Sequence, residues 1–275
     1  MTEASNMPPE ILIPAAIFVF GAMIGSFLNV CIYRMPLDES LVFPASHCTR
    51  CRASIRFYDN IPIISWFVLF GKCRHCKSPI SFQYPLVEIL NASGFLYLYV
   101  RYGLTAQTVF YGLFFSALLV ITFIDIYHRI IPDRISLPGI GAGLLGSLFI
   151  PMVFPLSTMR LGVPPWFLDA LVGSALGFVI FYIIAKASPK IFGQEGMGGG
   201  DIKLIAMIGA FLGWKEMLLT IMLGSLAGSI VGIFLMIVFR TGRKYAVPFG
   251  PFLSLGALMS LFWGTPMIDW YLYVL

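Results

Sequence analysis

Charge is what this chain has least of. Asp, Glu, Lys and Arg make up 11% of its 275 residues, where an ordinary globular domain carries about 25%. So few charges cannot cover a water-facing surface, which excludes a wholly soluble protein. Histidine is scarcer still, with only His47, His75 and His128. None of them lies inside a long apolar stretch, so a membrane-embedded serine–histidine hydrolase lacks its base. No H-E-x-x-H occurs, which removes the common metallopeptidase helix. The glycine-rich run from Gly196 to Gly200 fits neither G-x-x-x-x-G-K-[ST] nor G-x-G-x-x-G, so it is not a phosphate loop. The chain also lacks low-complexity tracts and any convincing internal repeat.

What it has in excess is apolar residues, 59% of the total, with a mean hydropathy of +0.89. A helix needs about 20 mostly apolar residues to cross the hydrocarbon core. Eight stretches are candidates: 11–32, 85–101, 106–126, 135–155, 165–186, 201–214, 217–239 and 248–265, of which the sixth is short and reads as tilted or as lying beside a re-entrant turn. The fold class expected is therefore an all-α polytopic membrane protein with about eight transmembrane helices. The first stretch is kept as a span because its leading flank is acidic (Glu3, Glu10) and its apolar run is long for a cleaved signal. Lys and Arg are retained on the cytoplasmic side. With the N-terminus outside, only Arg101, Arg160 and Lys215 of the 18 Lys and Arg residues fall on the outer side. The net charge of +5 is then explained by topology, and no nucleic-acid partner is expected. The organisation that follows is a first transmembrane helix over 1–33, a polar and basic cytosolic insert over 34–83, and a membrane-embedded core over 84–275.

Four of the five cysteines lie in the insert as two tight pairs, Cys48 with Cys51 and Cys73 with Cys76, spaced C-x2-C-x21-C-x2-C. Each pair can place two thiolates on one ion, and four complete a tetrahedral zinc shell. Such a closed shell leaves no open position, so the role expected is structural. The competing reading is two disulfides or redox pairs, which a reducing cytosol disfavours. His47 and His75 flank the pairs and are alternative ligands. Cys31 lies in the first span and reads as a small packed residue.

An ionisable residue at membrane depth is a functional candidate by default. Of the 13 acids, Glu3, Glu10, Glu216 and Asp269 fall in outer flanks, and Asp38, Glu39 and Asp59 in the insert. Asp169 reads as a helix-start residue, and Asp133, after Pro132, as the start of the fourth span. Asp125 and Asp201 stand out because both sit at the cytoplasmic edge of an apolar stretch. Neighbouring carboxylates share a proton. One then takes a proton from water while the other donates to a substrate carbonyl, which is aspartic-peptidase chemistry without a metal or covalent intermediate. The plainer reading pairs Asp125 with Arg129 at i,i+4 and makes Asp201 an N-cap. Glycines before Asp201 allow close approach of an extended peptide. Glu88, one turn inside the second span, either contacts substrate or braces the fold.

Gly198-Gly199-Gly200-Asp201 followed by Ile202-Lys203 resembles the G-x-G-D signature of membrane aspartyl peptidases. Gly25-Ser26-Phe27-Leu28-Asn29-Val30 with Tyr33-Arg34-Met35-Pro36, the paired-cysteine insert with Asn60-Ile61-Pro62 and Ser65-Trp66, Asp125 with Ile131-Pro132-Asp133, and Pro248-Phe249-Gly250-Pro251 together resemble the type IV prepilin leader peptidase/N-methyltransferase family. The matches run in family order from about residue 25 to 251. The resemblance implies cleavage of the short basic leader from prepilins or type II secretion pseudopilins at the cytoplasmic membrane face, and S-adenosylmethionine-dependent methylation of the new N-terminus. It carries over Asp125 and Asp201 as the catalytic pair and Cys48, Cys51, Cys73 and Cys76 as ligands of a structural zinc. It places the protein in the bacterial inner membrane, in contact with lipid. The N-terminal block and the insert are the natural methyltransferase region, with Asn29, Arg34 and Glu88 as candidate cofactor-binding residues. The rival readings are another G-x-G-D peptidase, which the cysteine insert counts against, and a transporter whose acids relay protons or bind cations.

Overall fold

The computed structural model describes residues 9–150, 164–192, 197–238 and 247–274. Its helices are α1 (Pro9–Arg34), α2 (Ile64–Val68), α3 (Gln83–Tyr102), α4 (Ala106–His128), α5 (Asp133–Gly146), α6 (Pro165–Phe192), α7 (Gly199–Leu212), α8 (Trp214–Val238) and α9 (Gly250–Val274). Among the described residues the only extended pairings are two isolated bridges, His47 with Ser54 and Lys72 with Pro79. Apart from the short α2, each helix falls where hydropathy places a span.

Five of them, α1, α4, α6, α8 and α9, are long and apolar enough to cross a membrane, so the chain is a multi-pass membrane protein. The apolar face of α8 supports this, with Ile237 72% exposed and Ile230 60% exposed, as lipid contact allows. The other three differ for stated reasons. α3 has 20 residues but buries Glu88 and Asn91. α5 and α7 have 14 residues each, about 21 Å of helix against a hydrocarbon core of about 30 Å. The far end of the expected span 135–155 lies outside the described residues, as do Gly196, Arg160, Arg240, Arg243 and Lys244.

The chain forms two compact units, Met1–Val120 and Ile121–Leu275, and the boundary falls within α4. In the first, α1 packs on α3 through two glycines one helical turn apart. A Cβ on Gly21 would stand 2.8 Å from Ala92 Cα, and one on Gly25 2.7 Å from Glu88 Cα. Such small-residue seams replace the hydrophobic drive that helices lack in lipid. Polar bonds tighten the seam: Asn91 Nδ2 donates to Gly21 O at 2.7 Å, and Ser116 Oγ donates to Asn91 Oδ1 at 2.8 Å.

In the second unit α7 lies against α5 and α6, and α8 pairs with α9. Among the described residues the closest backbone-to-backbone approach is between α6 and α7, where a Cβ on Gly209 would stand 2.3 Å from the Gly173 carbonyl oxygen. No side chain fits there without moving backbone. Gly209→Ala is therefore expected to destabilise the second unit by about 1–3 kcal/mol. Gly141→Ala, where nothing lies within 4 Å, leaves stability unchanged or slightly raised. Thermal melts in detergent check this, and equal midpoints for the two variants would contradict the packing.

Candidate active site and metal centre

Asp125 sits in the last turn of α4 and Asp201 in the first turn of α7. α4 ends as the Arg129 N–H donates to Asp125 O at 2.9 Å and Arg129 takes a positive φ of 57°. The chain then turns through Ile131 and Pro132 and starts α5 at Asp133. Ile131 packs where a side chain on Gly200 would be: a Cβ there would stand 2.8 Å from Ile131 Cβ. The missing side chain thus lets the start of α7 lie against the exit from α4, which puts the two aspartates at one end of the unit. Lys203 and Asp133 add an ion pair at 2.7 Å across the same join.

Each aspartate meets a backbone donor at a helix start. Gly250, the first residue of α9, donates its N–H to Asp125 Oδ2 at 2.9 Å, and Gly198 donates to Asp201 Oδ2 at 3.2 Å. Helix N-termini carry a partial positive charge that favours carboxylates. A Cβ on Gly250 would stand 2.7 Å from Asp125 Oδ2, so any other residue there would have to displace the carboxylate. Asp125 is buried at 5% exposure, whereas Asp201 is half-buried. Asp201 is not the N-cap considered from the sequence: Gly198 occupies that place, and Asp201, three residues on, reaches back to it. Gly199 has open space around it, so among the described glycines of the run it leaves the most room beside the backbone.

The insert brings the four cysteines together. Their sulfur atoms lie within 4.8 Å of one another, and all are free thiols. Among the described residues no other group of His, Cys, Asp and Glu is placed to hold a metal. The two pairs are built alike. Cys48 N–H donates to Ala53 O at 2.9 Å and Cys73 N–H to Ser78 O at 2.8 Å, while Arg52 and Lys77 donate back to the first cysteine of each pair. Both of those residues take positive φ, 56° and 58°. The Cys48 thiol is drawn down to about 6, chiefly by the backbone N–H of Cys51. Cys76 is also lowered, first by the Ser78 hydroxyl. Cys51 goes the other way, up to about 11: its bond to the Ala53 backbone lowers it, but desolvation and the thiols of Cys76, Cys48 and Cys73 outweigh that. Thiolates are the metal-binding form, and it is the convergence of the four sulfur atoms that fits a thiophilic ion.

Residues 19–102 match the family model described as the bacterial peptidase A24 N-terminal domain, and residues 112–233 match the type IV leader peptidase family. The chain is 36% identical to a prepilin leader peptidase/N-methyltransferase of Aeromonas salmonicida strain A449, over 93% of this chain and 92% of that relative. The chain belongs to the type IV leader peptidase family. A relative of the same name in Pseudomonas aeruginosa is 33% identical over 92% of this chain and 91% of its own length. One in Myxococcus xanthus is 41% identical over 82% of this chain, which spans 64% of that longer relative. No solved structure matches.

In this leader peptidase family member the remaining candidates separate. Arg34 donates Nη1 to Ser40 O at 2.9 Å and Nη2 to Pro44 O at 2.8 Å, so it ties the start of the insert to α1. Asn29 donates to Tyr84 O at 3.1 Å, and Glu88 Oε2 accepts the Ile63 N–H at 2.6 Å. The sequence reading missed Glu216. Set on an outer flank by hydropathy, it is only 6% exposed, with Oε1 lacking a hydrogen-bond partner. The signal was the shortness of the sixth apolar stretch: α7 has 14 residues and α8 follows at once, so Glu216, in the first turn of α8, stays within the packed unit. Asp169, read as a helix-start residue, is also buried at 1% exposure.

The metal centre is checked by elemental analysis of purified protein. About one thiophilic ion per chain is expected. Cys73→Ser, at the buried ligand, is expected to lose most of it and make the insert protease-sensitive. Full retention of metal by this variant would contradict the four-thiolate site.

Proposed function

We propose that this enzyme cuts the leader from type IV prepilins or type II secretion pseudopilins at the cytoplasmic face of the inner membrane, using Asp125 and Asp201, and then N-methylates the new N-terminal residue. The observation that carries the reading is the meeting of α4, α7 and α9 ends around these two carboxylates. Peptidase and methyltransferase activities go with the family and with the relatives' names. The finer assignments are ours.

Each carboxylate has Oδ2 held by a backbone N–H, which leaves Oδ1 for water and substrate. The ionised member takes a proton from water as it attacks the scissile carbonyl carbon. The protonated member donates to the carbonyl oxygen, and the pair then returns a proton to the leaving amine. The fixed amides hold the pair in one geometry before substrate arrives. A prepilin has a basic leader followed by an apolar helix held in the bilayer, so its cleavage site rests at the cytoplasmic interface. We place the pair there, with eight crossings, the N-terminus outside and 34–83 in the cytosol. The open face at Gly199 suits a scissile segment held extended.

Zinc is the ion we assign to Cys48, Cys51, Cys73 and Cys76, as a staple for an insert too small to hold itself by apolar burial. S-adenosylmethionine supplies the methyl group when bound. Of the residues considered for it, Arg34 is engaged within the chain, while Asn29 and Glu88 leave acceptor atoms that suit amino groups rather than carboxylates.

The test uses purified protein in detergent with a prepilin substrate, with and without S-adenosylmethionine, read by mass spectrometry. Wild type is expected to remove the leader and, only with the methyl donor, to add one methyl. Asp125→Asn and Asp201→Asn are each expected to slow cleavage by at least on the order of 1000-fold. Cleavage by both variants at the wild-type rate would refute the two-aspartate mechanism. No cleavage by wild type would favour the transporter reading.

A further inference from the structure

The seam between α1 and α3 carries a polar cluster that leader cleavage does not use. Asn29 is 2% exposed. Its Nδ2 donates to Tyr84 O at 3.1 Å and to Gly25 O at 3.4 Å, but its Oδ1 is buried with no hydrogen-bond partner. A buried carbonyl without a donor costs free energy, so its persistence in a tightly packed seam points to a ligand that supplies one. One helical turn along α3 from Tyr84 lies Glu88, 7% exposed, beside Gly25 of α1.

Glu88 is held in a fixed orientation by an unusual turn. The Ile63 N–H donates to Oε2 at 2.6 Å, and Ile63 does so at φ 64°, ψ −58°. A β-branched residue seldom takes positive φ, and such backbone persists where the surroundings over-determine it. What the two side chains leave over is acceptor capacity: the Asn29 carbonyl, and the lone pairs of the Glu88 carboxylate that the Ile63 N–H and the Ser26 hydroxyl do not take. The nearby guanidinium of Arg34 is turned to Ser40 O and Pro44 O. An acceptor-only pair rejects phosphates and carboxylates and suits an amine, whose N–H groups are all donors.

We propose that Asn29 and Glu88 bind a primary amine, and that this amine is the α-amino group freed by leader cleavage. The inference rests on the two-step activity proposed above. Asn29 Oδ1 accepts one N–H and fixes the nitrogen. Glu88 takes the proton that the ammonium must lose before its nitrogen can accept a methyl group, so the carboxylate becomes a carboxylic acid and the ammonium a neutral amine.

The experiment uses the full chain in detergent and a peptide copying the mature pilin N-terminus, with its amine either free or acetylated. Without methyl donor, wild type is expected to bind the free amine at least ~10-fold more tightly than the acetylated form. Asn29→Ala and Glu88→Gln are expected to erase most of that preference while leaving affinity for S-adenosylmethionine unchanged. Glu88→Gln keeps an acceptor for Ile63, so it tests charge rather than folding. It is expected to slow methylation of the pre-cut peptide on the order of 100-fold, with a residual rate that climbs with pH. Unchanged amine preference in both variants would overturn the proposal. So would lost affinity for S-adenosylmethionine with the preference intact, since the amine would then be the methyl donor's own. Cleavage and methylation falling in parallel would reduce both residues to structural roles. Failure of wild type to cut or methylate any pilin would instead sink the proposed function, and the amine preference is read without turnover.

Discussion

A carboxylate kept from water needs a donor, and in this protein the donors are helix starts. Backbone groups inside a helix are already paired, so only the first-turn N–H groups are free to serve a side chain. α9 begins at Gly250 and gives its N–H to Asp125, while Gly198 at the start of α7 gives its N–H to Asp201. The position of both helices along the bundle is tied to this requirement. The short α7 leads directly into α8, whose first turn buries Glu216.

The second condition is that helices come close enough for such contacts, and the absence of side chains does this. Gly200 makes room for Ile131, Gly250 for the Asp125 carboxylate, and Gly209 for the backbone at Gly173. The first unit uses the same device at Gly21 and Gly25. In lipid, where apolar side chains gain little by leaving their surroundings, backbone proximity and buried polar bonds carry the association.

Hydropathy made the helix positions legible, because each apolar stretch marks a helix whatever its partners. That Asp125 closes one apolar stretch and Asp201 opens another was legible in the same way, and the structure sets them in the last turn of α4 and the first turn of α7. The cysteine spacing likewise carried its own geometry. What stayed hidden depends on contacts between distant segments. Gly200 reads as room for a ligand until Ile131 is seen to fill it, and Asp201 reads as an N-cap until Gly198 takes that place. The matched turns at Cys48 and Cys73 share backbone bonds and positive φ over only the C-x2-C pair and the basic residue after it, too few positions to read as a repeat. Glu216 was misplaced because the shortness of the sixth stretch was visible in the sequence but the packing of the first turn of α8 inside the unit was not.

The central claim is that Asp125 and Asp201 act as one acid–base unit. It is tested most directly by comparing leader cleavage in Asp125→Asn, Asp201→Asn and the double variant under single-turnover conditions. Groups that act as a unit are strongly non-additive, so the double variant should be no slower than the slower single variant. Rate losses that multiply in the double variant would mean independent roles and would contradict the account.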